Sequence, residues 1–151
     1  MNKTLFAIIL SILPLSELRG AIPYAVLSGI NPLTAFLITV IPNILIIFVI
    51  LFFFDYLHKH FYKINYYRLL FDKHVVRSRK KIEKHVGTKW EFFALYLFVA
   101  VPLPGTGAFT GTLLAWLFNL KRGSSILAIA LGVITAGIIV MLLTLGVIKT
   151  F

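Results

Sequence analysis

The stretch Pro14-Leu15-Ser16-Glu17-Leu18-Arg19-Gly20-Ala21-Ile22-Pro23 puts a carboxyl and a guanidinium two positions apart within otherwise apolar sequence. A charge near the centre of a membrane helix costs about 2.5–3.5 kcal/mol on insertion scales, so two of them need compensation. One reading is a mutual Glu17–Arg19 pair that pins a turn. The other is a substrate or proton site in a wet cavity, because charges at membrane depth mark pathways. In a regular helix Glu17 and Arg19 would point apart. At a broken turn they are free to converge, with the Ser16 hydroxyl beside them.

A second breaker-rich stretch, Pro102-Leu103-Pro104-Gly105-Thr106-Gly107, carries no charge. Its resource is backbone. Gly105 and Gly107 leave amides accessible, and the segment that follows begins a helix with its positive dipole end at this point. Free amides at a helix N-terminus favour an anion. Thr106 is placed either to cap that helix or to touch a ligand through its hydroxyl; a plain tight turn is the structural alternative. Facing Arg19 and Thr106, a phosphate or carboxylate group would be the favoured ligand. No catalytic set accompanies these residues. Cysteine is absent, and Ser16 with Glu17 lacks a base–orienter relay. His58, His60, His74 and His85 match no metal-ligand spacing. No cofactor or metal is expected, and Glu17 is the candidate for proton coupling.

The elements that must hold these residues belong to a membrane. Sixty per cent of the 151 residues are hydrophobic and only 13% charged, more apolar surface than one soluble domain can hide. Residues 33–54 and 123–148 are uncharged and long enough to span; Pro42 in the first invites a kink, and Asn43 is its only amide. Residues 4–31 and 91–119 are apolar but interrupted, by Pro14, Gly20 and Pro23 in the first and by Pro102, Pro104 and several glycines in the second. Each arm is about 15–18 Å long at helical rise, half a bilayer. The expected fold is therefore all-α and integral to the membrane, one domain over residues 1–151. It has two inverted repeats, each a re-entrant helical hairpin followed by a transmembrane helix. Shifting by 88 residues lays Pro14-Leu15 on Pro102-Leu103 and Asn31 on Asn119. Lys3 and the run from Leu5 to Leu13 resemble a signal peptide, but Glu17 and Arg19 stand where a cleavage site belongs.

Charge sets the expected orientation. The net charge is +10, and residues 58–90 hold ten Lys and Arg against Asp72 and Glu83. Lys121 and Arg122 join that face, while Lys3 and Lys149 lie on the other. The positive-inside rule makes the loop cytoplasmic and both termini external. Phe61, Ile64, Tyr67, Leu70 and Phe71, interleaved with Lys63, Arg68 and Lys73, suggest an amphipathic helix on anionic headgroups, with a solvated charged helix as the alternative ahead of nucleic-acid binding. Ala128, Gly132 and Ala136 form a small-residue stripe for close helix packing, within the chain or in a homodimer. Tyr24, Phe109 and Trp116 read as anchors or packing.

The segments PLSELRGAIPYAV at 14–26 and VPLPGTGAFTGTLLAW at 101–116 resemble the hallmark segments of the small multidrug export family of prokaryotic membrane proteins. The hairpin–span–hairpin–span layout is similar to the DedA superfamily, also called the VTT or SNARE-associated group. That resemblance implies lipid scrambling or recycling of polyprenyl-phosphate carriers, a glutamate at the first tip, matched by Glu17, and arginines near the second tip. This chain has none at the second tip; Arg122 lies past the second arm, and Arg19 is the substitute. The leading expectation is proton-linked translocation of an anionic lipid headgroup such as polyprenyl phosphate. The alternatives are export of small cationic or amphipathic drugs with Glu17 exchanging protons, and a membrane scaffold that recruits a partner.

Overall fold

The computed structural model describes residues 2–76, 80, 87–103 and 105–150, leaving aside the side chains of residues 70, 71, 74 and 75. Pro104, and from the basic loop Arg77, Arg79, Lys81, Glu83, Lys84 and His85, lie outside the described residues. The elements are α1 (Lys3–Ile12), α2 (Glu17–Leu27), α3 (Pro32–Phe61), α4 (Asn65–Phe71), a π-helical turn (Asp72–Val76), α5 (Lys89–Ala100), α6 (Ala108–Leu117) and α7 (Arg122–Thr150). Two short helices and a long one thus occur twice. No strand occurs among the described residues.

Local chemistry explains the boundaries. Asn2 starts α1 by accepting the Thr4 amide at 3.1 Å. Pro14 ends it, because the residue before a proline avoids helical backbone; Leu13 is extended at φ −69°, ψ 131°. Asn31 starts α3 by accepting the Leu33 amide at 3.0 Å, with Pro32 in the first turn, where a missing N–H costs nothing. Gly20 and Pro23 do not break the first hairpin as expected: both lie inside α2. Pro23 removes one helical hydrogen bond, which a helix packed on neighbours tolerates. The break is confined to residues 13–16, and in the second unit to 101–107.

The long helices exceed the expected spans. α3 has 30 residues and α7 has 29, and both are long and apolar enough to cross a membrane. α3 continues through Pro42 and past residue 54, so Asp55, His58, Lys59 and His60 ride on its last turns rather than in a loop. Basic side chains there complement the negative end of the helix dipole. The expected amphipathic loop helix reduces, among the described residues, to the seven-residue α4 and the turn after it.

The two units share backbone hydrogen bonds. Ile30 N donates to Ala25 O, and ninety residues later Leu120 N donates to Ala115 O; Ser28 N to Tyr24 O likewise reappears as Phe118 N to Leu114 O. At the ends of the first arms, Leu13 N to Ile9 O corresponds to Val101 N to Leu97 O, 88 residues on. The second unit therefore has two more residues between these bonds. Asn119, left-handed at φ 54°, corresponds to Gly29 at φ 86°, not to Asn31 as a uniform shift of 88 implies.

α7 lies against α5, α2, α3 and α6, and α3 packs on α1, α2 and α6. A Cβ at Gly132 would come within 2.8 Å of Val99 Cβ and 3.0 Å of Tyr96 O. The stripe Ala128–Gly132–Ala136 is buried, so its close approach is spent within the chain, on α5. Outward faces remain apolar: Leu15, Leu27 and Phe52 are 98, 73 and 73% exposed. Lipid, not water, suits such a surface.

Candidate functional site

The first turn places Glu17 at the start of α2 in a left-handed conformation, φ 42°. A non-glycine residue there is strained, and such strain gathers where side-chain aim matters. Its carboxylate is aimed across the molecule at the N-terminus of α6. Phe109 N donates to Glu17 Oε1 at 3.2 Å. Glu17 is only 7% exposed. The anion position expected at the second turn is thus filled by a residue of the first.

Gly107 makes this approach possible. Its backbone is extended, and a Cβ there would overlap Glu17 Oε2. Gly107, not Thr106, is the N-cap of α6, and a glycine has no side chain to supply a cap. Thr106 Oγ1 is occupied inside its turn, 2.7 Å from Val101 O and accepting Leu103 N at 3.1 Å. Gly105 takes φ 82°, which closes that turn.

Arg19 and Glu17 do not pair with each other: no ion pair joins them. Arg19 Nη2 instead donates to Thr106 O at 2.9 Å. Each charge of the first turn holds the backbone of the second, one as acceptor and one as donor. Ser16 stays local, donating to Leu10 O at 2.5 Å. Pro102 lines a cavity of about 10 Å³ with Glu17, Arg19, Asn43, Thr106 and Gly107. That is room for about one water. Pro14 is exposed at the first turn.

Asn43 was legible only as an isolated amide in a span. It is 1% exposed; its Nδ2 donates to Ser11 O at 2.5 Å and its Oδ1 is unpartnered. A buried, unpaired acceptor is costly, so its presence beside Glu17 calls for a donor. On the other side of Arg19, a cleft of about 350 Å³ is lined by Pro23, Leu27, Leu143, Val147 and Ile148, with Arg19 its one charged residue among the described residues.

Two further acids escaped sequence reasoning. Asp55 accepts Trp116 Nε1 at 3.0 Å and pairs with Arg122 at 2.6 Å. Glu91, 8% exposed, accepts the Gly87 and Lys121 amides, the latter at 3.2 Å. The available signal was scarcity: with five acids in a chain of charge +10, each one merits a partner.

Among the described residues the chain is all-helical, with two helices long and apolar enough to cross a membrane and a charged junction between its two breaker-rich turns, which suits a membrane protein. Residues 17–139 match the family described as "Putative small multi-drug export protein", and the chain belongs to that family. The match begins at Glu17 and includes both turns. No curated protein and no solved structure matches the chain significantly.

Proposed function

We propose that this protein exports small amphipathic molecules bearing a phosphate or carboxylate, with Glu17 carrying a coupled proton. Anionic lipid headgroups, polyprenyl phosphate among them, fall within that class. The observation that carries the reading is the Glu17 carboxylate on the Phe109 amide, at the N-terminus of α6. A helix N-terminus that seats one carboxylate can seat another anion of similar geometry. While ionised, Glu17 fills the site itself. Once protonated it becomes a donor, for which Asn43 Oδ1 is the unpartnered acceptor lining the same cavity. The helix N-terminus and Arg19 then form a net positive site, and the cleft beside Arg19 suits an apolar body attached to the anion. A cation finds less there: the carboxylate is committed to an amide and Arg19 repels it.

In this reading the two short-helix pairs are re-entrant hairpins, inverted with respect to each other, and their turns meet at membrane depth. The recurrence of the same hydrogen bonds ninety residues apart supports the repeat. The concentration of basic residues in the loop supports its cytoplasmic placement.

Binding of decanesulfonate, whose charge is constant between pH 5 and 8, tests the proposal on protein in bilayer discs. Affinity should rise as pH falls, because protonated Glu17 vacates the helix N-terminus. Glu17→Gln should bind tightly at both pH values. Arg19→Ala should lose binding, and Arg19→Lys should recover part of it, lacking the guanidinium fork. Wild-type affinity in Arg19→Ala, or preference for dodecyltrimethylammonium, would overturn the reading.

A further inference from the structure

Where α3, α6 and α7 meet near the loop, a cavity of about 160 Å³ lies between Asp55, Trp116 and Ser125. Leu51, Ile126 and Ile129 supply apolar lining beside the polar Asp55, His58 and Asn119. It is remote from the two turns: Trp116 is seven residues along α6 from Phe109, about 10 Å at helical rise. We infer that this cavity is a second binding site, for a ring-sized apolar molecule carrying an ammonium group, and that the Arg122 guanidinium occupies the cation position in this structure.

Four observations carry the inference. Ser125 is 2% exposed and its Oγ has no hydrogen-bond partner. As placed, that hydroxyl presents no accessible surface to the cavity; rotation about Cα–Cβ would turn it to a ligand there and give it a partner. Asp55 is already bonded through Oδ1 to Trp116 Nε1, which fixes the carboxylate beside an aromatic wall. The rings of Phe54 and His58 lie 5.5 and 5.3 Å from that of Trp116. A carboxylate next to aromatic faces is the chemistry that binds an organic cation. A space of about 160 Å³ has room for one aromatic ring, which sets the size of the apolar part.

The charge of the ligand follows from what must move. Arg122 Nη2 lies 2.8 and 2.6 Å from the two Asp55 oxygens, yet the side chain is 65% exposed. It can swing into water on the loop side and remain solvated. An incoming ammonium then takes its place, and Asp55 keeps both a cation and its indole donor. An anion would have to draw Arg122 away and leave Asp55 facing a second negative charge. This site thus accepts the charge that the junction of the turns disfavours.

The test uses benzyltrimethylammonium, with phenylphosphonate as the control of opposite charge. Trp90→Phe removes the other tryptophan, so Trp116 fluorescence reports binding to purified protein in bilayer discs. Benzyltrimethylammonium should quench saturably and phenylphosphonate should not. Asp55→Asn should weaken binding about tenfold or more, as an ammonium loses its counter-charge. Arg122→Ala should tighten it by about two- to fivefold, the range expected from removing a competing exposed ion pair. A merely structural Asp55–Arg122 pair predicts instead that both variants lose stability and neither gains affinity. Weaker binding in Arg122→Ala, or saturable binding of phenylphosphonate alone, would overturn the assignment. Should Asp55→Asn fail to fold, the sign of the Arg122→Ala effect still decides.

Discussion

Glu17 and Phe109, 92 positions apart, are joined by a 3.2 Å hydrogen bond from the Phe109 amide to the Glu17 carboxylate. Through it the first turn caps the helix that the second turn starts. The contact replaces a local cap with a titratable one, so the junction between the two halves depends on one proton.

Gly107→Ala should expel that carboxylate without changing any charge, because the new methyl would overlap Glu17 Oε2. Decanesulfonate binding should then lose its pH dependence, as in Glu17→Gln. The two variants, compared in the same titration, should behave alike. Retention of a wild-type pH profile in Gly107→Ala would show that the carboxylate contact is incidental.

Asn43→Ala removes the acceptor available to protonated Glu17. Losing a partner for the acid form favours the ionised form. The pH at which anion binding half-appears should therefore fall. A shift to higher pH, read in the same titration, would contradict the role given to Asn43.

Glu91→Ala should cost roughly 1–3 kcal/mol of stability, because the Gly87 and Lys121 amides lose a buried acceptor. Thermal unfolding in mild detergent measures it. Anion binding per folded molecule should be unchanged, since Glu91 does not line the junction of the turns.

Gly132→Val and Gly146→Ala form a matched pair on α7. The first pushes into Val99 and the Tyr96 carbonyl and should destabilise by about 1–3 kcal/mol. The second meets nothing within 4 Å and should be neutral or stabilise by up to about 1 kcal/mol, the helix advantage of alanine. Equal effects in an unfolding assay would mean that the α5–α7 contact is looser than described.

Orientation is open to chemical labelling. Single cysteines introduced as Lys80→Cys and Lys149→Cys should differ in intact cells, with an impermeant reagent reaching only the second. The reverse pattern would invert the topology.

The sequence by itself determined the membrane class, since so apolar a composition has no soluble solution. It also determined where the short helices of each unit separate, because Pro14 and Pro102 restrict the residues before them. It singled out Glu17, Arg19 and the Gly105–Gly107 turn, because charge and glycine are conspicuous in apolar surroundings. It misjudged Gly20 and Pro23, since lateral packing decides whether a helix survives a weak residue and packing is not written locally. The partners were decided by tertiary structure alone. Glu17 and Arg19, two positions apart in sequence, bond different backbone groups of the second unit rather than each other. Asp55 finds Arg122 67 residues away, and Asn43 gains its significance only from the buried acid beside it. Hydrogen bonds act over about 3 Å, so their pairing depends on which surfaces the folded helices bring into contact.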